Sequence, residues 1–96
     1  MEKKQVLIIG GGISGLSTAW NLSKTCPGIE SILLEKTNRV GGWMDGYAKE
    51  GFVIESGPRI FKTSRNEDFL EVIEGTGLAE LIGSSSPEAN IRFLRV

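Results

Sequence analysis

Apolar and polar positions along this chain change period several times, and each change marks an element. Val6-Leu7-Ile8-Ile9 is an unbroken apolar run rich in β-branched residues, and Gly10-Gly11-Gly12 stops it. A run this short and apolar on both sides predicts a strand inside a parallel sheet, covered on both faces. Beyond the glycines, Ile13, Leu16, Ala19 and Trp20 recur at helical spacing, and the stripe continues to Leu22. That predicts an amphipathic helix with Trp20 in the core, ended by Cys26-Pro27-Gly28, where Cys26 is a small apolar filler. Ser31-Ile32-Leu33-Leu34-Glu35 predicts a second buried strand that closes on an acid. Strand, helix and strand over residues 5–35 make a βαβ unit, so the expected fold class is α/β.

The pattern changes after residue 38. Trp43 to Ala48 and Phe52 to Glu55 flank Lys49-Glu50-Gly51, which predicts a hairpin within residues 39–56. Ser64 and Glu67 have the spacing of a capping box, opening a helical segment over 64–82 with the stripe Phe69, Leu70, Val72 and Ile73. Gly75 is its expected stop, followed by a short helical turn from Leu78 to Ile82. Ser84-Ser85-Ser86-Pro87 reads as a loop, and Ile91 to Val96 alternates like a strand with one wet face. That strand finishes without turn or cap. The expectation is therefore that residues 1–96 are the N-terminal portion of a larger protein.

Composition narrows the chemistry. Eleven Lys and Arg against twelve Asp and Glu leave a net charge of −1. No basic stripe is present, which argues against nucleic acid as a partner. With no His and a single Cys, the chain offers no imidazole acid–base chemistry, no disulfide framework and no Cys/His metal site. No apolar run approaches the ~20 residues of a spanning helix. Met1-Glu2-Lys3-Lys4 fits neither a signal nor a transit peptide, so a cytoplasmic location is expected. Reactivity has to come from a bound group.

Gly10-Gly11-Gly12-Ile13-Ser14-Gly15 has the form G-x-G-x-x-G, with a strand before it and a helix after it. Gly10 permits the tight turn, Gly12 lets backbone approach a pyrophosphate, and Gly15 allows close packing of helix on strand. The first amides of the helix, at the positive end of its dipole, then neutralise the phosphates. Glu35 stands about twenty residues beyond Gly15, where a carboxylate accepts ribose hydroxyls and repels a 2′-phosphate. Lys36 is placed along the adenosine edge.

Arg39-Val40-Gly41-Gly42 resembles the second glycine motif of flavoproteins of the glutathione-reductase and amine-oxidase class. The resemblance selects FAD over NAD and a Rossmann-like βαβ fold. Arg39 either reaches a phosphate or anchors the loop. Gly41-Gly42-Trp43, followed by Glu55-x-Gly57-Pro58-Arg59, is similar to the N-terminal part of the protoporphyrinogen oxidase family, FAD enzymes of haem synthesis. Asn90-Ile91-Arg92-Phe93-Leu94 resembles that family's N-R-F segment, with Ile91 inserted.

The resemblance implies FAD contacts at Gly10, Gly11, Gly12, Ile13, Ser14, Gly15, Glu35, Lys36, Gly42 and Trp43. The Gly57-Pro58-Arg59-Ile60 turn would lie near the flavin, with Ile60 where the family usually has Gly. Arg59 would pair with a substrate propionate or hold that turn. It also implies a porphyrinogen substrate, oxygen as electron acceptor and peripheral membrane association, at the mitochondrial inner membrane in eukaryotic members. No side chain is nominated as catalytic, since the flavin carries the redox step. The competing readings are a coproporphyrinogen III oxidase of the same family, another amine-oxidase-like flavoprotein, and a truncated non-catalytic remnant.

Overall fold

In a computed structural model, the structure describes residues 2–58, 60–61, 66–84 and 87. The chain divides into two compact units, Met1–Lys62 and Thr63–Val96. The first holds a βαβ unit and a hairpin. Strand β1 (Lys4–Ile9) leads through the glycines into helix α1 (Ile13–Thr25), and the chain returns in strand β2 (Ile29–Leu34). β1 and β2 pair in parallel with Val6 beside Ser31, Ile8 beside Leu33 and Ile9 beside Leu34.

This register sorts the side chains by face. Val6, Ile8, Ser31 and Leu33 are the more covered positions, as expected beneath α1, which packs on both strands. Leu7, Ile9, Ile32 and Leu34 occupy the other face and are exposed. The double-sided burial expected of β1 is thus not met: among the described apolar side chains only Ile8 is buried. The physical reason is that one helix covers one face of a two-stranded sheet. Trp20, assigned to the core from its spacing, is half-buried, with the Lys24 ammonium 4.7 Å from its ring centroid. α1 ends as expected, with Cys26 as its C-cap donating its amide to the Leu22 carbonyl.

β3 (Gly46–Lys49) and β4 (Phe52–Glu55) form the antiparallel hairpin, with Lys49 opposite Phe52. Glu50 and Gly51 make the two-residue turn with φ of 52° and 82°, the left-handed pair that matches strand twist. β3 starts at Gly46 and not at Trp43, because residues 41–44 fold into a second glycine turn.

In the second unit, α2 (Glu67–Thr76) runs past the expected stop at Gly75. Gly77 supplies the left-handed φ of 78°, and the amides of Gly77 and Leu78 return to the carbonyls of Glu74 and Ile73. Those two bonds form a Schellman ending, so the stop lies where the left-handed glycine is. The cap at the other end is Asn66, which makes Glu67 the first helical residue and not the third, as a capping box on Ser64 requires. A single 3₁₀ turn, Ala79–Leu81, follows. Ser64, Arg59, Ser85, Ser86 and the strand and N-R-F segment expected over 90–96 lie outside the described residues. Among the described residues no helix is long and apolar enough to cross a membrane.

Candidate functional site

Two glycine turns lie backbone to backbone at the start of α1. Gly10, with φ of 102°, donates its amide to Leu34 at 2.7 Å, which pins the first turn to the end of β2. Gly41 donates to the Gly11 carbonyl at 2.7 Å, and Gly12 and Gly41 form a parallel bridge. A Cβ added at Gly42 would lie 3.3 Å from the Gly12 Cα, so side chains are excluded from this seam. Gly57 fits under the Trp43 carbonyl, with which any Cβ there would collide.

Between the turns opens a cavity of about 370 Å³. Gly10, Gly12, Ile13, Ser14 and Gly15 line it from the first turn and the helix start. Gly41, Gly42, Trp43 and Met44 line it from the second turn, and Ile9 and Pro58 complete the wall. Leu16 makes the first intrahelical bond, to the Gly12 carbonyl at 3.0 Å. The amides before it have no carbonyl one turn back, and the helix dipole is positive here. No acid stands in the first turn to neutralise that end. A Cβ on Gly12 meets no protein atom within 4 Å, and Gly12 itself lines the cavity. A pyrophosphate fits such a cradle, with backbone donors at its edge and nothing anionic in the helix's first turn.

The acid at the end of β2 is held by the chain's own donors. Glu35 accepts the Gly11 amide on Oε1 at 3.1 Å, and on Oε2 it accepts the Thr37 amide at 2.7 Å and hydroxyl at 2.6 Å. Glu35 is not among the cavity-lining residues, and neither is Gly11, whose amide faces Glu35 instead of a phosphate. A Cβ at Gly11 would press on Glu35 Cγ and Val40 Cγ1, both at 3.2 Å. Lys36, Gly57 and Ile60 also lie off the cavity wall.

The Thr37 hydroxyl, then the Thr37 amide and the Gly11 amide, hold the Glu35 carboxyl well below its ordinary 4.5, at about 2. These donors favour the ionised form. Because the folded value lies below the unfolded one, the stability this acid contributes is complete above pH 4.5 and is lost as pH falls through about 2. A carboxyl-detected NMR titration should place the Glu35 midpoint near 2. A midpoint at the ordinary value would show that the three bonds do not persist in solution.

Of the two roles open to Arg39, the structure supports the anchor. Its guanidinium donates to the carbonyls of Val40 at 3.1 Å, Met44 at 3.2 Å and Gly42 at 2.9 Å, with Asp45 at 3.9 Å. The fork thus shapes the turn from inside. Ile9 and Met44 line the cavity without having been expected there. Gly41 was legible in the glycine pair; Ile9 and Met44 had only their adjacency to the two turns as a signal.

A family of NAD(P)-binding Rossmann-like domains matches residues 8–75, which include both turns and the helix between the strands. The chain belongs to that family. This Rossmann-like domain is 39% identical over 92 residues to a coproporphyrinogen III oxidase of Staphylococcus aureus, covering 96% of the chain and 20% of the relative. An FAD-containing monooxygenase, EthA, of Mycolicibacterium smegmatis is 40% identical over 55 residues, covering 57% of the chain and 11% of the relative. A crystal structure from Exiguobacterium sp. 255-15, provisionally named a protoporphyrinogen oxidase, superposes with a TM-score of 0.75 at 36% identity. That match covers 83% of this chain and 18% of that one. The domain spans about a fifth of the length of the coproporphyrinogen III oxidases it matches.

Proposed function

We propose that this chain is the dinucleotide-binding part of an FAD-dependent oxidoreductase of porphyrin biosynthesis. The reaction proposed is oxidation of protoporphyrinogen IX to protoporphyrin IX, with oxygen as acceptor. The observation that carries the cofactor reading is the open position at Gly12, in a cavity shared by two glycine turns and headed by a helix N-terminus. The second turn supports FAD over a nicotinamide cofactor, as does the match to a relative named FAD-containing. The porphyrinogen reading is supported by identity along nearly the whole chain. The Staphylococcus aureus coproporphyrinogen III oxidase is 39% identical over a match covering 96% of it, against 30% for a 4,4'-diapolycopene oxygenase of Methylomonas sp whose match covers 95%.

When bound, FAD supplies the two-electron chemistry, and the chain's residues bind and orient it. Gly12, Ser14 and Gly15 present backbone to the pyrophosphate, and Glu35 supplies the acceptor for the adenosine ribose. Trp43, 88% exposed, adds an aromatic surface to the cavity wall beside Pro58. Arg59 is assigned to a substrate propionate, which a guanidinium pairs bidentately. We place the enzyme in the cytoplasm, in peripheral contact with the membrane that holds its apolar substrate.

A second reading, coproporphyrinogen III as substrate, is favoured by the 39% identity to the Staphylococcus aureus oxidase. The complete gene product, purified, is expected to show a bound-flavin visible spectrum and growth of porphyrin fluorescence from protoporphyrinogen. Faster growth from coproporphyrinogen would select the second reading. A colourless protein that takes up no FAD would overturn both.

A further inference from the structure

Thr37 makes two of the three bonds to the proposed ribose acid, and nothing in the motif accounts for it. Its amide and hydroxyl both reach Glu35 Oε2, at 2.7 and 2.6 Å, while Gly11 holds Oε1 at 3.1 Å. A carboxylate has about four acceptor positions. Three are taken, and the one left is on Oε1, beside the glycine turn. Thr37 is tied in turn to the second glycine turn: Arg39 donates its amide to the Thr37 hydroxyl oxygen at 3.3 Å, and the Arg39 guanidinium grips residues 40, 42 and 44.

We propose that Thr37 is a positioning residue of the adenosine-ribose site, fixing Oε2 of Glu35 so that Oε1 is presented to one ribose hydroxyl. This rests on the FAD reading above. Without the hydroxyl, the carboxylate keeps only the two amide bonds, and the ordering the hydroxyl supplied must then come out of ligand binding. The hydroxyl has one proton, and the Arg39 carbonyl at 2.8 Å competes for it. The carboxylate is the stronger acceptor because the bond is charge-assisted.

The test measures FAD affinity of the apo form of the complete gene product by flavin fluorescence, for wild type, T37V, T37S, E35Q and the T37V/E35Q pair. T37V is expected to weaken FAD binding by up to about tenfold, the cost of ordering one side chain on binding, with T37S within about twofold of wild type. In the E35Q background the T37V change is expected to have no further effect, whereas a merely structural Thr37 would still weaken binding there. Should T37V fail to fold, T37A is read in the same cycle. Wild-type affinity in T37V alongside weakened E35Q would overturn the part given to Thr37 alone. Undiminished affinity in E35Q would overturn the ribose-acid reading itself.

Discussion

Gly12→Ala is expected to leave the domain as stable as the parent while costing about a hundredfold in FAD affinity. The fold has no objection to the new methyl. Gly12 sits at φ −77° and ψ −174°, ordinary extended backbone, and its Cβ position is empty of protein within 4 Å. Restricting the unfolded chain should even add about 0.4–1 kcal/mol of stability. The methyl instead enters the cavity at the point where backbone has to approach a phosphate. Displacing the diphosphate from two or so charge-assisted amide bonds costs about 3 kcal/mol, which is roughly a hundredfold. Thermal melting of the apo form and flavin-fluorescence titration check the two halves separately. If G12A binds FAD like the parent, the pyrophosphate does not lie against Gly12 and the cofactor placement is wrong.

Gly15→Ala should do the opposite first. Its Cβ would run into the Gly10 carbonyl, with Ile8 Cγ2 close behind at 3.4 Å. A backbone oxygen cannot step aside as a long side chain can, so α1 has to lift from β1 or the first turn has to open. Overpacking of this kind costs about 3 kcal/mol. Ile8 is the one buried apolar side chain among the described residues, so little other packing compensates. Urea unfolding should show that loss without ligand, and FAD binding should fall with it. Together the two alanines separate the glycine that shapes the fold from the glycine that makes room. A G15A protein of parental stability would refute the close helix–strand approach.

Much of the candidate site could be read in advance because its signals are local. The run Val6 to Ile9, the spacing of Gly10, Gly12 and Gly15 and the stripe from Ile13 to Leu22 each lie within a few residues, and the elements form where they imply. What the sequence left unread has a common origin in contacts that spacing does not carry. Glu35 is at the expected strand end, but its oxygens are engaged by Gly11 and Thr37, twenty-four positions before and two after it. Gly75 and Gly77 are both plausible stops for α2 by composition; the left-handed conformation falls at Gly77. Arg39 has the same identity whether it reaches outward to a phosphate or inward to three carbonyls. The geometry of residues 40–44 gives it the inward role.

The sequence alone determined the βαβ unit, a hairpin turning within Lys49-Glu50-Gly51 and the presence of two glycine-rich approaches, since periodicity and backbone permissiveness are properties of short segments. Only the tertiary structure decided that the two approaches meet, Gly41 on Gly11 and Gly42 against Gly12, to enclose one cavity. It also decided that Gly12 faces open space while Gly15 faces a carbonyl. Those outcomes depend on the register of β1 against β2 and on the path of a turn some thirty residues downstream. Distances between segments so far apart are set by packing and hydrogen bonds across the sheet end, and no pattern within either segment encodes them.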